Sequence, residues 1–227
     1  MKQLWFDIVR RDGVVVGKWI NVSRLICAGY SGRDKENILK HIKELESIGV
    51  PPPSSVPAKY MIPPDNLTTA TKITVSSSTT SGEAEYVIFI DDAIYVGVGS
   101  DHTDREIERR DVNASKTCCP KVVGRKLWLY EEVKDHWDEL RLYSKVNEGD
   151  KLVDYQVGTL KEILPPEELL NVLSEGGRGT CVFSGTIPLK RNVIYSNYFS
   201  MALEDPVIGR EIKHSYKISL KQQELNY

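Results

Sequence analysis

The sequence predicts an α+β protein, a strongly bent mixed β-sheet or β-roll with a few peripheral helices, in a single domain over residues 1-227. Three observations carry this expectation. Tyr86-Val87-Ile88-Phe89-Ile90 is apolar at odd and even positions alike, as a strand buried on both faces reads. Ile38, Leu39, Ile42, Leu45 and Ile48 recur at helical spacing over one short stretch. Residues 198–220 then alternate as two strands around Asp205-Pro206-Val207-Ile208-Gly209.

The chain has 227 residues, enough for a large core, with 41% hydrophobic and 27% charged residues, ordinary values for a globular protein. Net charge is -2 and no basic block occurs, so neither nucleic acid nor an anionic membrane is the expected partner. Charged residues interrupt the amino terminus, and no later run is long and apolar enough to span a bilayer. The expected location is therefore inside the cell, in the cytoplasm. Cys27, Cys118, Cys119 and Cys181 lack a Cys-x-x-Cys spacing, which suits a reducing compartment.

In chain order, residues 4–20 alternate about Arg11-Asp12-Gly13 and predict a hairpin, which makes residues 1-24 an amino-terminal β-hairpin extension to a core over 25-227. Residues 24–29 form a short apolar strand. A helix over 35–48 follows, capped by Ser31 or Asp34, and Gly49 with Pro51-Pro52-Pro53 ends it. The proline-rich 51–64 is an extended crossing, and Ile73-Thr74-Val75 a short strand. Asp91-Asp92-Ala93 is the loop of a second hairpin, returning through residues 94–99. A helix start capped by Asp101 or Thr103, a helix over 129–137, a strand over 139–146, a proline-started helix at 165–170 and a strand over 180–183 complete the reading.

Glu83 and Glu85 stand one residue apart at the mouth of the doubly buried strand, so their side chains share a face. With 91–93 as the loop, Ile90 pairs with Ile94, Gly99 with Glu85, and Asp101 with Glu83. A third carboxylate then faces the first, and Gly99 leaves room beside the second. Three hard oxygen donors suit magnesium, manganese or calcium better than zinc. The competing reading is a pair of solvated strand-end glutamates. His41 and Glu44, at i and i+3, share a helix face and could form a general base, or simply a solvated surface. Lys116, among small and apolar residues, could stabilise an oxyanion or neutralise the carboxylates without any metal. Ser184-Gly185-Thr186-Ile187-Pro188 offers a hydroxyl and backbone amides in a tight bend, a place for a substrate carboxylate.

In this order the motifs resemble the carboxy-terminal catalytic domain of the fumarylacetoacetate hydrolase superfamily, from Leu25 to the carboxy terminus. Its Glu-x-Glu is similar to Glu83-Ala84-Glu85, and its Asn-Asp-x-Ser-x-Arg-Asp to Ser100-Asp101-His102-Thr103-Asp104-Arg105-Glu106. Its Gly-Lys with Cys-Pro is similar to Ser115-Lys116 with Cys119-Pro120, and its Thr-Gly-Thr-Pro to the bend at Gly185. The resemblance implies Mg2+ or Mn2+ held by Glu83, Glu85 and Asp101. It also implies a water-activating dyad of His41 and Glu44, Lys116 against developing charge, and Arg105, Gln156 and Thr186 on the substrate. The implied substrates are 2-oxo acids or 1,3-dicarbonyl acids. C–C bond hydrolysis leads, ahead of hydration, isomerisation or decarboxylation, with homodimers as the assembly. The alternative from another class is a non-catalytic small-molecule-binding domain on the same fold.

Overall fold

The computed structural model describes residues 1–47 and 52–221, apart from the side chains at 41 and 45. The chain opens with β1 (Lys2–Val9), β2 (Val15–Val22) and β3 (Arg24–Gly29), followed by α1 (Lys35–Ser47). Asp34 is the residue that caps α1, its Oδ1 accepting from Glu36 N at 3.1 Å and Asn37 N at 3.0 Å. The expected stop at Gly49 and Pro51, with Ile48, lies outside the described residues. Next come β4 (Ala58–Ile62), β5 (Leu67–Thr68), β6 (Lys72–Val75) and β7 (Thr80–Ser81). The hairpin of β8 (Ala84–Ile90) and β9 (Ile94–Asp101) leads to β10 (Thr103–Asp104), α2 (Arg105–Glu108) and α3 (Val112–Thr117). The remainder is β11 (Lys121–Val123), β12 (Lys126–Leu129), β13 (Arg141–Glu148), β14 (Lys151–Thr159), α4 (Pro166–Val172), β15 (Thr180–Phe183), β16 (Tyr198–Asp205) and β17 (Arg210–Leu220).

Two sheets dominate this α+β architecture. The larger runs β2-β1-β12-β9-β8-β15-β3-β4, with β11 joined to β9 and β5, and mixes parallel with antiparallel pairs. The smaller runs β14-β13-β16-β17-β6. Strand β8 lies inside the larger sheet, and every residue on it is buried. Ala84, Tyr86, Ile88 and Ile90 point into one core with Leu142, Leu203, Ile212 and Tyr216 of the smaller sheet. Val87 and Phe89 point the other way, into a core with Phe6, Leu25, Leu127 and Phe183. A strand between two cores needs apolar side chains on both faces, which is why its sequence does not alternate. The amino-terminal hairpin is an edge of the larger sheet, docked through the parallel β1–β12 pair.

Three expectations differ from the structure. Residues 129–137 finish β12 and continue as 3-10 turns, Tyr130–Glu132 and Lys134–Glu139, instead of an α-helix. Tyr130 and Val133, three apart, share a face in a 3-10 turn as in an α-helix, and Trp137, four further on, is buried beyond the non-helical His136. The proline-rich crossing contains a strand, β4, paired with β3. The cap of α2 is Asp104, whose Oδ1 accepts from Glu106 N at 3.0 Å and Ile107 N at 3.2 Å, while Asp101 stays in β9.

Candidate functional site

The β8–β9 hairpin has the register its sequence predicts, Ile90 opposite Ile94 and Glu85 opposite Gly99. Beyond the last ladder pair, Asp101 N donates to Glu83 O at 3.0 Å. Glu83, Glu85 and Asp101 therefore lie at one end of the hairpin. Gly99 serves a different purpose from the one expected. A Cβ there would fall 2.4 Å from Val87 Cγ2 and 2.7 Å from Phe183 Cε1, so the glycine makes way for core packing.

On the far side of β9, β11 places Lys121 directly opposite Asp101. Helix α3, capped by Asp111, brings in Lys116. Both ammonium groups reach the one carboxylate. Lys116 Nζ donates to Asp101 Oδ2, and Lys121 Nζ lies 3.1 Å from Oδ1. Asp101 and Lys121 have no exposed side-chain surface, and Lys116 has 8%. Burial alone would raise the Asp101 pKa, but Lys116 and Lys121 outweigh it and hold the carboxyl below its ordinary range. Burial likewise opposes the charge of Lys116, and Asp101 keeps its pKa above the ordinary lysine value.

Glu85 is in the opposite condition. It is buried, and its Oε2 accepts from the backbone amide of Gly185 at 2.8 Å. Burial, and then the neighbouring charge of Asp101, push its pKa well above the carboxylate range. Gly185 can present that amide because its φ is +83°, and a Cβ there would lie 2.3 Å from Ser31 Oγ. Glu83, half-buried, faces Arg105, whose Nη2 is 3.1 Å from Oε1 without the angle of a hydrogen bond. Arg105 is pinned further by Ser81 Oγ at 2.7 Å and Glu108 Oε2 at 2.8 Å. Burial disfavours its charge, but Glu83 and Glu108 reverse the effect and raise its pKa.

Gln156 and Thr186 brace the start of β8. Gln156 Oε1 accepts from Ala84 N at 2.8 Å and Ser144 Oγ at 2.7 Å, while Nε2 donates to Thr186 Oγ1 at 2.5 Å and Ile187 O at 3.0 Å. All four of its hydrogen-bonding positions are taken by protein. Thr186 Oγ1 donates to Ala84 O at 2.6 Å. Ser184 and Gly185 turn their groups inward, so the amide expected to meet a substrate carboxylate meets Glu85. The side chain of His41 lies outside the described residues. Glu44 is on α1, 61% exposed, with its Oε1 4.0 Å from Lys40 Nζ.

Lys121 was not legible in the sequence, where a single lysine opens an otherwise apolar strand. Only the pairing of β11 with β9 assigns it to Asp101. His102 is also buried here, its ring bonded to Tyr216 Oη and Thr80 Oγ1, both at 3.0 Å. Burial, with Lys121 and Arg105 nearby, lowers its pKa from 6.5 to about 3, which keeps the imidazole neutral.

The donor set has the chemistry of a hard divalent-cation site, three carboxylates and no thiolate. Glu85, buried and with no ion pair among the described residues, is the observation that fits such an ion. Among the described residues no three acidic, histidine or cysteine side chains stand close enough to cradle one as arranged; Asp101 is paired with Lys116, and Glu83 faces Arg105. The ammonium groups of Lys116 and Lys121 are the cations at Asp101 in this structure.

The profile of the family described as Protein of unknown function (DUF2848) matches residues 28–216. Among solved structures, 2-keto-3-deoxy-D-arabinonate dehydratase is similar with a TM-score of 0.64 at 14% identity, over 93% of this chain and 86% of that one. Yeast ynq8, a fumarylacetoacetate hydrolase family protein, gives 0.59 at 15% identity over 91% and 96%. Fumarylacetoacetate hydrolase from psychrophilic Exiguobacterium antarcticum gives 0.61 at 15% identity over 92% and 82%. These likenesses establish the fold. No curated protein sequence matches the chain.

Proposed function

We propose that this chain, which belongs to the DUF2848 family and has the fold of fumarylacetoacetate hydrolase family proteins, is a divalent-metal-dependent enzyme acting on a 2-oxo acid or 1,3-dicarbonyl acid. The observation that carries the reading is Glu85, a buried carboxylate for which no ion pair is found among the described residues, on the hairpin that also holds Glu83 and Asp101. These three residues would hold Mg2+ or Mn2+. Bound there, the ion would polarise the substrate carbonyl and stabilise an enolate.

The chain's own groups set the rest. Lys121 fixes Asp101 from behind and maintains its charge. Lys116 supplies a positive charge beside any anion that enters. Gly185, Gln156 and Thr186 hold the β8 entrance so that Glu85 is preorganised. C–C bond hydrolysis is the leading reaction, with His41 and Glu44 of α1 expected to activate water. The exposed position of Glu44 favours a second reading, decarboxylation or isomerisation of a 2-oxo acid, which needs no activated water. A homodimer in the cytoplasm is the proposed assembly and location. Among the described residues no helix is long and apolar enough to cross a membrane.

The test is turnover of an acylpyruvate and of oxaloacetate with Mn2+, before and after chelation, for wild type, Glu83→Ala and Glu44→Ala. Metal-dependent turnover of either acid, lost in Glu83→Ala, supports the reading. Loss of acylpyruvate cleavage in Glu44→Ala assigns the water-activating role, and unchanged oxaloacetate decarboxylation in that variant selects the second reaction. Turnover indifferent to chelation contradicts the metal dependence, and no turnover of either acid returns the chain to a binding module.

A further inference from the structure

Two lysines share the carboxylate of Asp101, and the structure holds them unequally. Lys121 is fixed. Its Nζ lies 2.6 Å from His102 O, 3.2 Å from Cys119 O and 3.1 Å from Asp101 Oδ1, which matches the three donors of an ammonium group, and it rises from a strand in the sheet interior. Lys116 has a single hydrogen-bond acceptor among the described residues, Asp101 Oδ2. It rises from the six-residue helix α3 and keeps some exposed surface. The Tyr60 ring, with its centroid 5.7 Å from Nζ, gives that ammonium a second favourable neighbour if it leaves the carboxylate.

We infer that Lys116 is a tethered counter-ion occupying the cation position at Asp101 until a divalent ion displaces it, while Lys121 remains as the positioning residue that keeps Asp101 aimed. The inference rests on the reading of Glu83, Glu85 and Asp101 as metal ligands. Its consequence runs against intuition about mutating a site. Metal affinity is the difference between two cations competing for the same oxygen, so removing the lysine removes the competitor. A lysine that only braced the site would, when removed, leave metal binding equal or weaker.

The experiment titrates the full chain with Mn2+ and follows the free ion by electron paramagnetic resonance, for wild type, Lys116→Met and Lys116→Arg. A charge a few ångströms from the ion, in partly buried surroundings, predicts a Kd at least about tenfold lower for Lys116→Met. Lys116→Arg keeps the charge, and its Kd should stay nearer that of wild type. Saturating Mn2+ should also raise the melting temperature of Lys116→Met more than that of wild type, by mass action. If the methionine variant does not fold, Lys116→Gln repeats the comparison. Binding by wild type with equal or weaker binding by the uncharged variant overturns the inference and leaves the metal reading standing. Absence of binding in wild type and all variants overturns the metal reading itself, and this inference with it.

Discussion

Replacing Asp101 by asparagine preserves shape and removes one charge, yet it should be among the most damaging single changes in the chain. Asp101 is fully buried, with one lysine on Oδ2 and another 3.1 Å from Oδ1. In Asp101→Asn the amide oxygen can accept from one ammonium, but the amide NH2 must face the other, donor against donor. Two cations are then left away from water with no anion between them. Breaking a buried pair in this way costs about 3–5 kcal/mol. For a domain of this size that corresponds to a melting point lower by roughly 6–20 °C. Urea denaturation measures it directly, with a lower midpoint and an unchanged slope. The carboxyl is held below its ordinary range by the lysines, so the native state releases this proton more readily than the unfolded chain. Its contribution is therefore complete above the ordinary aspartate pKa and declines as the pH falls below it. Asp101→Asn should lack that acid-side decline. A variant within about 1 kcal/mol of wild type would refute the claim that both lysines depend on this carboxylate.

Two further changes test the shell around the site. His102, with its pKa lowered from 6.5 to about 3, stabilises the fold fully above pH 6.5 and loses that contribution on acidification toward pH 3. At about 1.4 kcal/mol per unit the full loss is roughly 4–5 kcal/mol, and His102→Gln should flatten the stability slope between pH 6.5 and 4; an identical slope in both proteins would contradict the assignment. Gln156→Leu strips partners from Ala84 N, Ser144, Thr186 and Ile187 O, and should cost about 2–4 kcal/mol by urea midpoint, whereas unchanged stability would mean that the brace on β8 is dispensable.

The part of the site read correctly from the sequence is the part governed by a short loop. Asp91-Asp92-Ala93 fixes the β8–β9 register, and since a strand apolar on both faces sets none by its pattern, it is counting back from the loop that places Glu83 beside Asp101. Lys121 depends instead on pairing between β9 and β11, a long-range choice with no local signal. The same distinction explains the fold. The hairpins β1–β2 and β16–β17 were evident from alternation and turn residues. Strand β4 was hidden because prolines surround it, although its own residues 58–62 contain none. At residues 130–137 the buried Tyr130, Val133 and Trp137 stand three and then four apart, a spacing an α-helix would show, and tertiary packing instead selects two 3-10 turns. Gly99 and Gly185 illustrate a further limit. A glycine announces that a Cβ is unwelcome, but only the neighbours show whether core packing, as at Gly99, or a donated amide, as at Gly185, is the reason.

Crystals soaked in Mn2+ and measured for anomalous scattering test the central claim most directly. The account predicts one peak bounded by carboxylate oxygens of Glu83, Glu85 and Asp101, with the Lys116 ammonium withdrawn toward Tyr60 and Lys121 unmoved. Saturating Mn2+ that leaves Lys116 on Asp101, with no peak among the three carboxylates, would contradict it.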